Sequence, residues 1–189
     1  TAVWKYMKQL KEEGYEIEAV QNKGYCLKDV PDVLGESEIK SRLHTRWAGQ
    51  TLYYYDEIDS TNTQIKRLAE EDAPHGTLAV ADYQSKGKGR RGHAWDSPHG
   101  SAIYMSILFR PDIRPDRASM LTLVIGLSVA QAIRSNLGVQ AQIKWPNDIV
   151  LNGKKLVGIL TEMSAQMNYI EYLVTGIGIN ANLREFPEE

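Results

Sequence analysis

Apolar residues recur with helical spacing in three places along the chain; elsewhere they alternate with polar residues or form short runs. Residues 1–13 put Val3, Met7 and Leu10 on one face, with Gly14 as the stop and Lys5, Lys8 and Lys11 on another face. Residues 15–28 alternate on both sides of Asn22-Lys23-Gly24, which predicts a β-hairpin. A strand is predicted at 51–55. Asp59-Ser60-Thr61-Asn62 then offers cap-type residues to a helix carrying Ile65, Leu68 and Ala69. Residues 77–83 and 102–109 predict strands flanking a glycine-rich loop. Residues 117–137 predict a long apolar helix with Leu121, Ile125, Ser128 and Ala132 on one face. Val139, Ala141, Ile143 and Trp145 alternate as a strand, and Pro146-Asn147-Asp148 turns the chain. Residues 149–151 and 155–163 predict a hairpin across Asn152-Gly153, a strong hairpin signal. A last strand covers 169–179.

Strands outnumber helices and come in consecutive runs. The expected fold is therefore α+β, a mixed and largely antiparallel sheet backed by helices. The first 28 residues, a helix followed by a hairpin, match the back half of a winged helix-turn-helix. Lys5 and Lys8 on the helix and Lys23 in the wing would meet DNA. A small α+β appendage with ordinary surface lysines fits the same pattern. The chain starts in mid-motif, without the helices expected before a recognition helix. Residues 29–40 are expected as a linker, because 29–36 carry Pro, Asp and Gly. Residues 41–189 are expected as the main domain.

Composition narrows the function classes. Hydrophobic residues make up 42% and charged residues 24%, the balance of a globular protein. The net charge of -2 gives no global basic field, so a nucleic-acid contact needs a local patch. No apolar run is expected to reach the roughly 20 residues of a membrane span. The single cysteine, Cys26, fits a reducing compartment, and a cytoplasmic location is expected. The four histidines are scattered without metal-ligand spacing, so no metal site is expected.

The densest chemistry lies at 83–98, YQSKGKGRRGHAWDSP. Lys86, Lys88, Arg90 and Arg91 alternate with Gly87, Gly89 and Gly92 and run into Trp95. Glycine lets backbone approach a ligand closely, and Arg presents a planar fork of donors to phosphate or carboxylate. The glycines match G-x-G-x-x-G, but no helix can open in the Pro- and Gly-containing stretch that follows. No Gly-Lys-Ser/Thr ending marks a Walker loop either. The segment reads as a loop that folds over an anion, with a solvated basic loop as the plain alternative. Three further polar stations sit at strand ends or turns: Ser60-Thr61-Asn62, Lys144 to Asp148 (KWPND), and Lys154-Lys155 ahead of an apolar strand. Each also has an ordinary structural explanation, as helix cap, turn or solvated strand end.

Taken together, DSTN, GKGRRGHAW, KWPND, KKLVGIL and GIGIN resemble the biotin protein ligases in order and approximate spacing. The first residues, AVWKYMKQL…NKGYCL, resemble the winged-helix domain of bacterial members that also repress biotin synthesis. Lys88 and His93 depart from the family's usual GRGRRGR loop, and the family's small C-terminal β-barrel is expected to be missing after Glu189. The resemblance implies a catalytic domain of the biotin and lipoate ligase type, acting on biotin and ATP with Mg2+. Biotinyl-5′-AMP forms, and biotin then passes to a lysine of the biotin carboxyl carrier protein of acetyl-CoA carboxylase. It implies catalytic roles for Lys155, Arg90 and Arg91. Biotin would be held by Ser60, Thr61, Asn62, Gln84, Lys88, Gly89, Arg90 and Lys155. Adenylate would be held by Trp95, Asn147, Asp148 and Asn180. Operator DNA and a homodimer follow for the repressor role. The rival readings are a biotin-sensing regulator without catalysis and a lipoate or octanoate transferase of related fold.

Overall fold

The computed structural model describes residues 2–183, so Thr1 and the end of the expected main domain lie outside the described residues. The chain divides into two compact units, Thr1–Val33 and Leu34–Glu189. In the first, α1 (Ala2–Glu12) is followed by the antiparallel strands β1 (Glu16–Val20) and β2 (Gly24–Asp29). Asn22 and Gly24 take positive φ at the hairpin turn, as the Asn-Lys-Gly signal requires. Met7 and Leu10 are half-buried and Ile17 is buried, but Val3 is exposed.

The second unit begins with α2 (Glu36–Arg42), which falls largely within the segment expected as linker. The remaining elements are β3 (Leu52–Ile58), α3 (Thr61–Glu70), β4 (Leu78–Gln84), β5 (Ala102–Phe109), α4 (Ala118–Leu137), β6 (Gln142–Lys144), β7 (Asp148–Leu151), β8 (Lys154–Ala165) and β9 (Ile170–Asn180). The sheet has seven strands in the order β3-β4-β5-β9-β8-β7-β6. Among the described residues only β3 and β4 pair in parallel, which makes the sheet mixed and largely antiparallel, as expected.

The two long helices lie on opposite faces. Ile65, Leu68 and Ala69 of α3 pack on Ala79, Leu108 and Val174. Ala130 and Ile133 of α4 pack on Ile149, Val157, Ile159 and Ile177. Val174 and Ile177 are separated by an odd number of positions on β9, so their side chains leave opposite faces.

Three expectations need correction. Ser128 and Ala132, expected to share one face of α4 with Leu121 and Ile125, are exposed; Gly126, Ala130 and Ile133 are the buried positions instead. The strand expected over 139–145 shrinks to Gln142–Lys144, because Ala141 is fully buried and its carbonyl accepts from Arg134 Nε at 2.7 Å. Trp145 leaves the strand and precedes a cis proline, Pro146. Finally, residues 115–137 are long and apolar enough to cross a membrane by length and composition, contrary to the expectation that no run would be. Here that helix lies against the sheet.

Candidate functional site

A cavity of about 1170 Å³ opens on the α3 face of the sheet. Its inner wall begins at the N-terminus of α3. Ser60 holds the N-cap position but makes no capping side-chain bond, and the residue is 2% exposed. The simple capping explanation for this serine therefore does not hold. Thr61 donates to Gln84 Oε1 twice, from its backbone nitrogen at 2.9 Å and from Oγ1 at 3.0 Å. Gln84 Nε2 donates to Ser97 Oγ at 2.9 Å, and Ser97 Oγ donates to the Trp95 carbonyl at 3.0 Å. On the other side, Ser106 Oγ lies 2.8 Å from Thr61 Oγ1 and 2.6 Å from Asn62 Oδ1. Asn62 Nδ2 donates to Glu162 Oε2 at 2.8 Å, and Lys66 Nζ donates to Glu162 Oε1 at 2.5 Å. A continuous row of polar groups thus runs from an ion pair, under α3, to the glycine loop.

Burial pushes the Glu162 carboxyl up. The Lys66 and Asn62 hydrogen bonds and the fields of Lys66 and Lys88 outweigh it and hold the carboxyl below its ordinary value.

Glycines pave the floor. A Cβ on Gly176 would stand 2.2 Å from Asn62 Oδ1. One on Gly158 would stand 2.4 Å from Trp95 Cζ3, and one on Gly178 would stand 2.7 Å from Trp95 Nε1. Gly158 and Gly178 are paired neighbours on β8 and β9, so the indole lies flush on bare backbone. Its Nε1 is buried and, among the described residues, has no hydrogen-bond partner.

The glycine loop is a small hairpin of its own. Lys88 bridges Ala94, Gly89 N donates to the His93 carbonyl at 2.7 Å, and Trp95 N donates to the Gly87 carbonyl at 2.9 Å. Arg91 and Gly92 both have positive φ at its tip. Lys88, Arg90 and Arg91 are exposed, and all three line the cavity.

Lys155 reaches the cavity through a β-bulge. Ile149 pairs with Val157, yet Val150 pairs with Lys155, so Leu156 is an extra residue on β8. Residues directly opposite on antiparallel strands share a face, and Asp148 pairs with Gly158. The bulge therefore turns Lys155 to the same face as Asp148, where its Nζ sits 3.0 Å from Asp148 Oδ1. The pair is ionic without hydrogen-bond alignment, since Asp148 Oδ1 has no hydrogen-bond partner among the described residues. Lys155 Nζ also stands 5.2 Å from the centre of the Trp95 ring, within cation–π range.

Two expected contacts are structural here. Asn147 Nδ2 donates to the Ile159 carbonyl at 3.1 Å, and Ile159 N donates to the Asn147 carbonyl at 2.9 Å, pinning the turn to β8. Asn180 Nδ2 donates to the Lys155 carbonyl at 3.2 Å. The structure thus brings Ser60, Thr61, Asn62, Gln84, Lys88, Gly89, Arg90, Arg91, Trp95, Asn147, Lys155 and Asn180 to one cavity, with Asp148 beside it. Lys5, Lys8 and Lys23 belong to the other unit, where Lys8 pairs with Glu12 at 3.6 Å. Sequence reasoning missed Ser97, Ser106, Lys66 and Glu162, which carry no local motif, and the seating role of Gly158, Gly176 and Gly178. Among the described residues, no group of three or more His, Cys, Asp or Glu could hold a metal.

A profile of the Biotin/lipoate A/B protein ligase family matches residues 54–180, and a profile of an HTH domain matches residues 1–26. The chain is 48% identical over 191 residues to the bifunctional ligase/repressor BirA of Bacillus subtilis, covering 100% of this chain and 59% of that protein. To BirA of Escherichia coli it is 34% identical, covering 99% of this chain and 57% of that protein. The chain thus spans less than two thirds of the length of these relatives. The Aquifex aeolicus biotin protein ligase in complex with biotin and ATP superposes with a TM-score of 0.60 at 39% identity, covering 74% of this chain and 56% of that one.

Proposed function

Because the chain belongs to the biotin/lipoate A/B protein ligase family, we propose that its cavity joins biotin to ATP as biotinyl-5′-AMP and delivers the biotinyl group to a lysine of a carrier protein. The observation that carries this reading is the placement of Lys155. A bulge aims it into a cavity whose inner wall is neutral and polar and whose rim is cationic. A ureido head suits the amides and hydroxyls of Thr61, Asn62 and Gln84. A dithiolane, which has neither N–H nor C=O, does not. The relatives' names supply the substrates, biotin and ATP, and the repressor role.

In the first step a biotin carboxylate oxygen bonds to the α-phosphorus of ATP. The bond from that phosphorus to the bridging oxygen breaks, and pyrophosphate leaves with its electron pair. Negative charge gathers on oxygens around phosphorus, and cations held ready for it are the main catalytic resource. Lys155, steadied by Asp148, faces this centre, with Arg90 and Arg91 above it. Ser60, Thr61, Asn62 and Gln84 hold the biotin head, and the backbone at Lys88 and Gly89 closes over it. Trp95 stacks on adenine and Asn180 lies at the adenine edge. Asp148 would help hold the magnesium that accompanies the nucleotide, an ion bound through one or two carboxylates together with substrate phosphates. Asn147 acts by fixing the turn that carries Asp148. In the second step the acceptor amine bonds to the acyl carbon, AMP leaves with the electron pair of the anhydride bond, and the amine sheds a proton to solvent.

The acceptor in this reading is the biotin carboxyl carrier protein, in the cytoplasm. The first unit, with Lys5, Lys8 and Lys23, binds operator DNA. A homodimer is supported by β8. Beyond Gly158 it pairs with β9 on one side and, among the described residues, with no strand on the other.

The test is incubation with biotin and α-labelled ATP, reading biotinyl-AMP and pyrophosphate, with lipoate as the control acid. Lys155→Ala should fold and lose about 3 kcal/mol of transition-state stabilisation, roughly a hundredfold in rate. A rate within about threefold of wild type removes Lys155 from this role.

A further inference from the structure

The polar row under α3 has fewer hydrogens than contacts. Asn62 Nδ2 faces two acceptors, Glu162 Oε2 at 2.8 Å and the Leu160 carbonyl at 3.4 Å, so Asn62 Oδ1 faces Ser106. Gln84 Nε2 donates to Ser97 at 2.9 Å, so Gln84 Oε1 faces Thr61. Between those two amide oxygens lie three oxygen–oxygen contacts, at 2.6, 2.8 and 3.0 Å. Only two hydroxyl hydrogens are available to fill them, one on Ser106 and one on Thr61. One contact is therefore short of a hydrogen. Gln84 Oε1 also receives the Thr61 backbone N–H at 2.9 Å, so with Ser106 donating to Asn62 the oxygen left accepting none is the Thr61 hydroxyl. All four side chains are buried, Ser106 completely, while Thr61, Asn62 and Gln84 line the cavity. A ligand in the cavity is placed to supply the missing donor.

The shortage originates at Glu162. If Asn62 turned its amide over, Nδ2 would donate to Ser106, Ser106 to Thr61 and Thr61 to Gln84, and every contact would have its hydrogen. An ionised carboxylate at Glu162 forbids this, since Asn62 Oδ1 would then face two acceptors. Lys66 from α3 keeps that carboxylate charged, and Lys88 of the glycine loop adds to the field.

We propose that Glu162 is a specificity-determining positioning residue. Its carboxylate fixes the Asn62 amide so that the row stays one hydrogen short, and the cavity selects a ligand head that donates an N–H. The inference rests on the biotin reading above, because a ureido ring carries such donors.

The experiment compares biotin with the isosteric lactam analogues in which one ureido N–H is replaced by CH2, on wild type and on Glu162→Gln. In wild type, one of the two analogues should bind about 10- to 100-fold more weakly, the consequence of leaving a buried acceptor unpaired. In Glu162→Gln the new amide donates to Asn62 Oδ1, the row fills itself, and biotin and that analogue should bind within about threefold of each other. The KM for biotin should rise about tenfold or more while kcat for adenylation stays within about threefold, since Lys155 is untouched. Glu162→Asp, which keeps the charge, should restore the preference for the N–H ligand. Undiminished discrimination in a folded Glu162→Gln overturns the proposal. Should that variant not fold, the wild-type Asn62 side-chain amide decides by NMR. Slow hydrogen exchange, unaltered between biotin and the analogue, supports hydrogens turned toward Glu162 and Leu160. Fast exchange, or a shift that follows the ligand donor, overturns it. Wild type that takes up no biotin at all overturns the underlying reading, and the inference with it.

Discussion

Glycine decides the floor of the cavity. Gly158 and Gly178 leave room for an indole where any other residue would put a methyl group at 2.4 and 2.7 Å from its atoms. Neither glycine has a positive φ, so the requirement is space and not backbone conformation. Gly178→Ala should lift Trp95 from the sheet and cost about 1–3 kcal/mol of stability, the usual range for overpacking. Thermal unfolding should show a fall of several degrees, and the KM for ATP should rise more than that for biotin. An unchanged Tm would mean the ring does not sit where it is placed here. At this scale the site was half legible. Lys155, Gln84 and the Ser60-Thr61-Asn62 trio stood out because their chemistry is visible in one residue or one short motif. Glu162, Ser106 and Ser97 did not, because each acts through a partner far away in sequence.

Among the elements, α3 has its two ends doing different work. Its N-terminus supplies the inner wall of the cavity, and its C-terminus is clamped by one arginine. Arg110 donates to the carbonyls of Ala69 at 2.8 Å, Ala73 at 3.2 Å and Glu171 at 3.3 Å, tying the helix end to β9. Only Ala69 lies in the helix, and its carbonyl also accepts from Asp72 N at 3.3 Å, so the arginine adds a charged donor to an end already capped by backbone. Arg110→Ala should cost roughly 2–3 kcal/mol, since hydrogen bonds from a charged donor are worth about 1.5–3 kcal/mol and the three act together. Arg110→Lys should not recover it, because an ammonium lacks the planar fork that reaches three carbonyls at once. Denaturant unfolding checks both. Strand periods were legible because alternation is local, and both hairpin turns fall where Asn22 and Asn152 take positive φ. The inward face of α4 was not legible. With Leu, Val, Ile and Met all round, its apolar spacing fits several faces, and Gly126 and Ala130 turn inward because small residues let the helix approach the sheet. The bulge at Leu156 was equally invisible, since an extra residue in a strand leaves the apolar run unbroken.

On the scale of the whole molecule, the sequence order of the strands departs from their order in space. β9 is the last described strand, yet it lies in the middle of the sheet, with β5 on one side and β8 on the other. It also carries Gly176 and Gly178, the paving of the cavity. A fragment of residues 34–169 should therefore show neither cooperative unfolding nor biotin binding, although it holds six of the seven strands and the cationic loop. A folded, biotin-binding fragment would show that the half-sheets close without the central strand. Synthesis runs from the N-terminus at roughly 5–20 residues per second. A growing chain thus holds two separate half-sheets, β3-β4-β5 and β6-β7-β8, each with an open edge, for about one to three seconds at those rates. No ligand can rescue it in that interval, because ligands stabilise only a state that can bind them. The order of strands makes the ribosome, and whatever shields open edges beside it, the guardian of this protein until its final strand slides home.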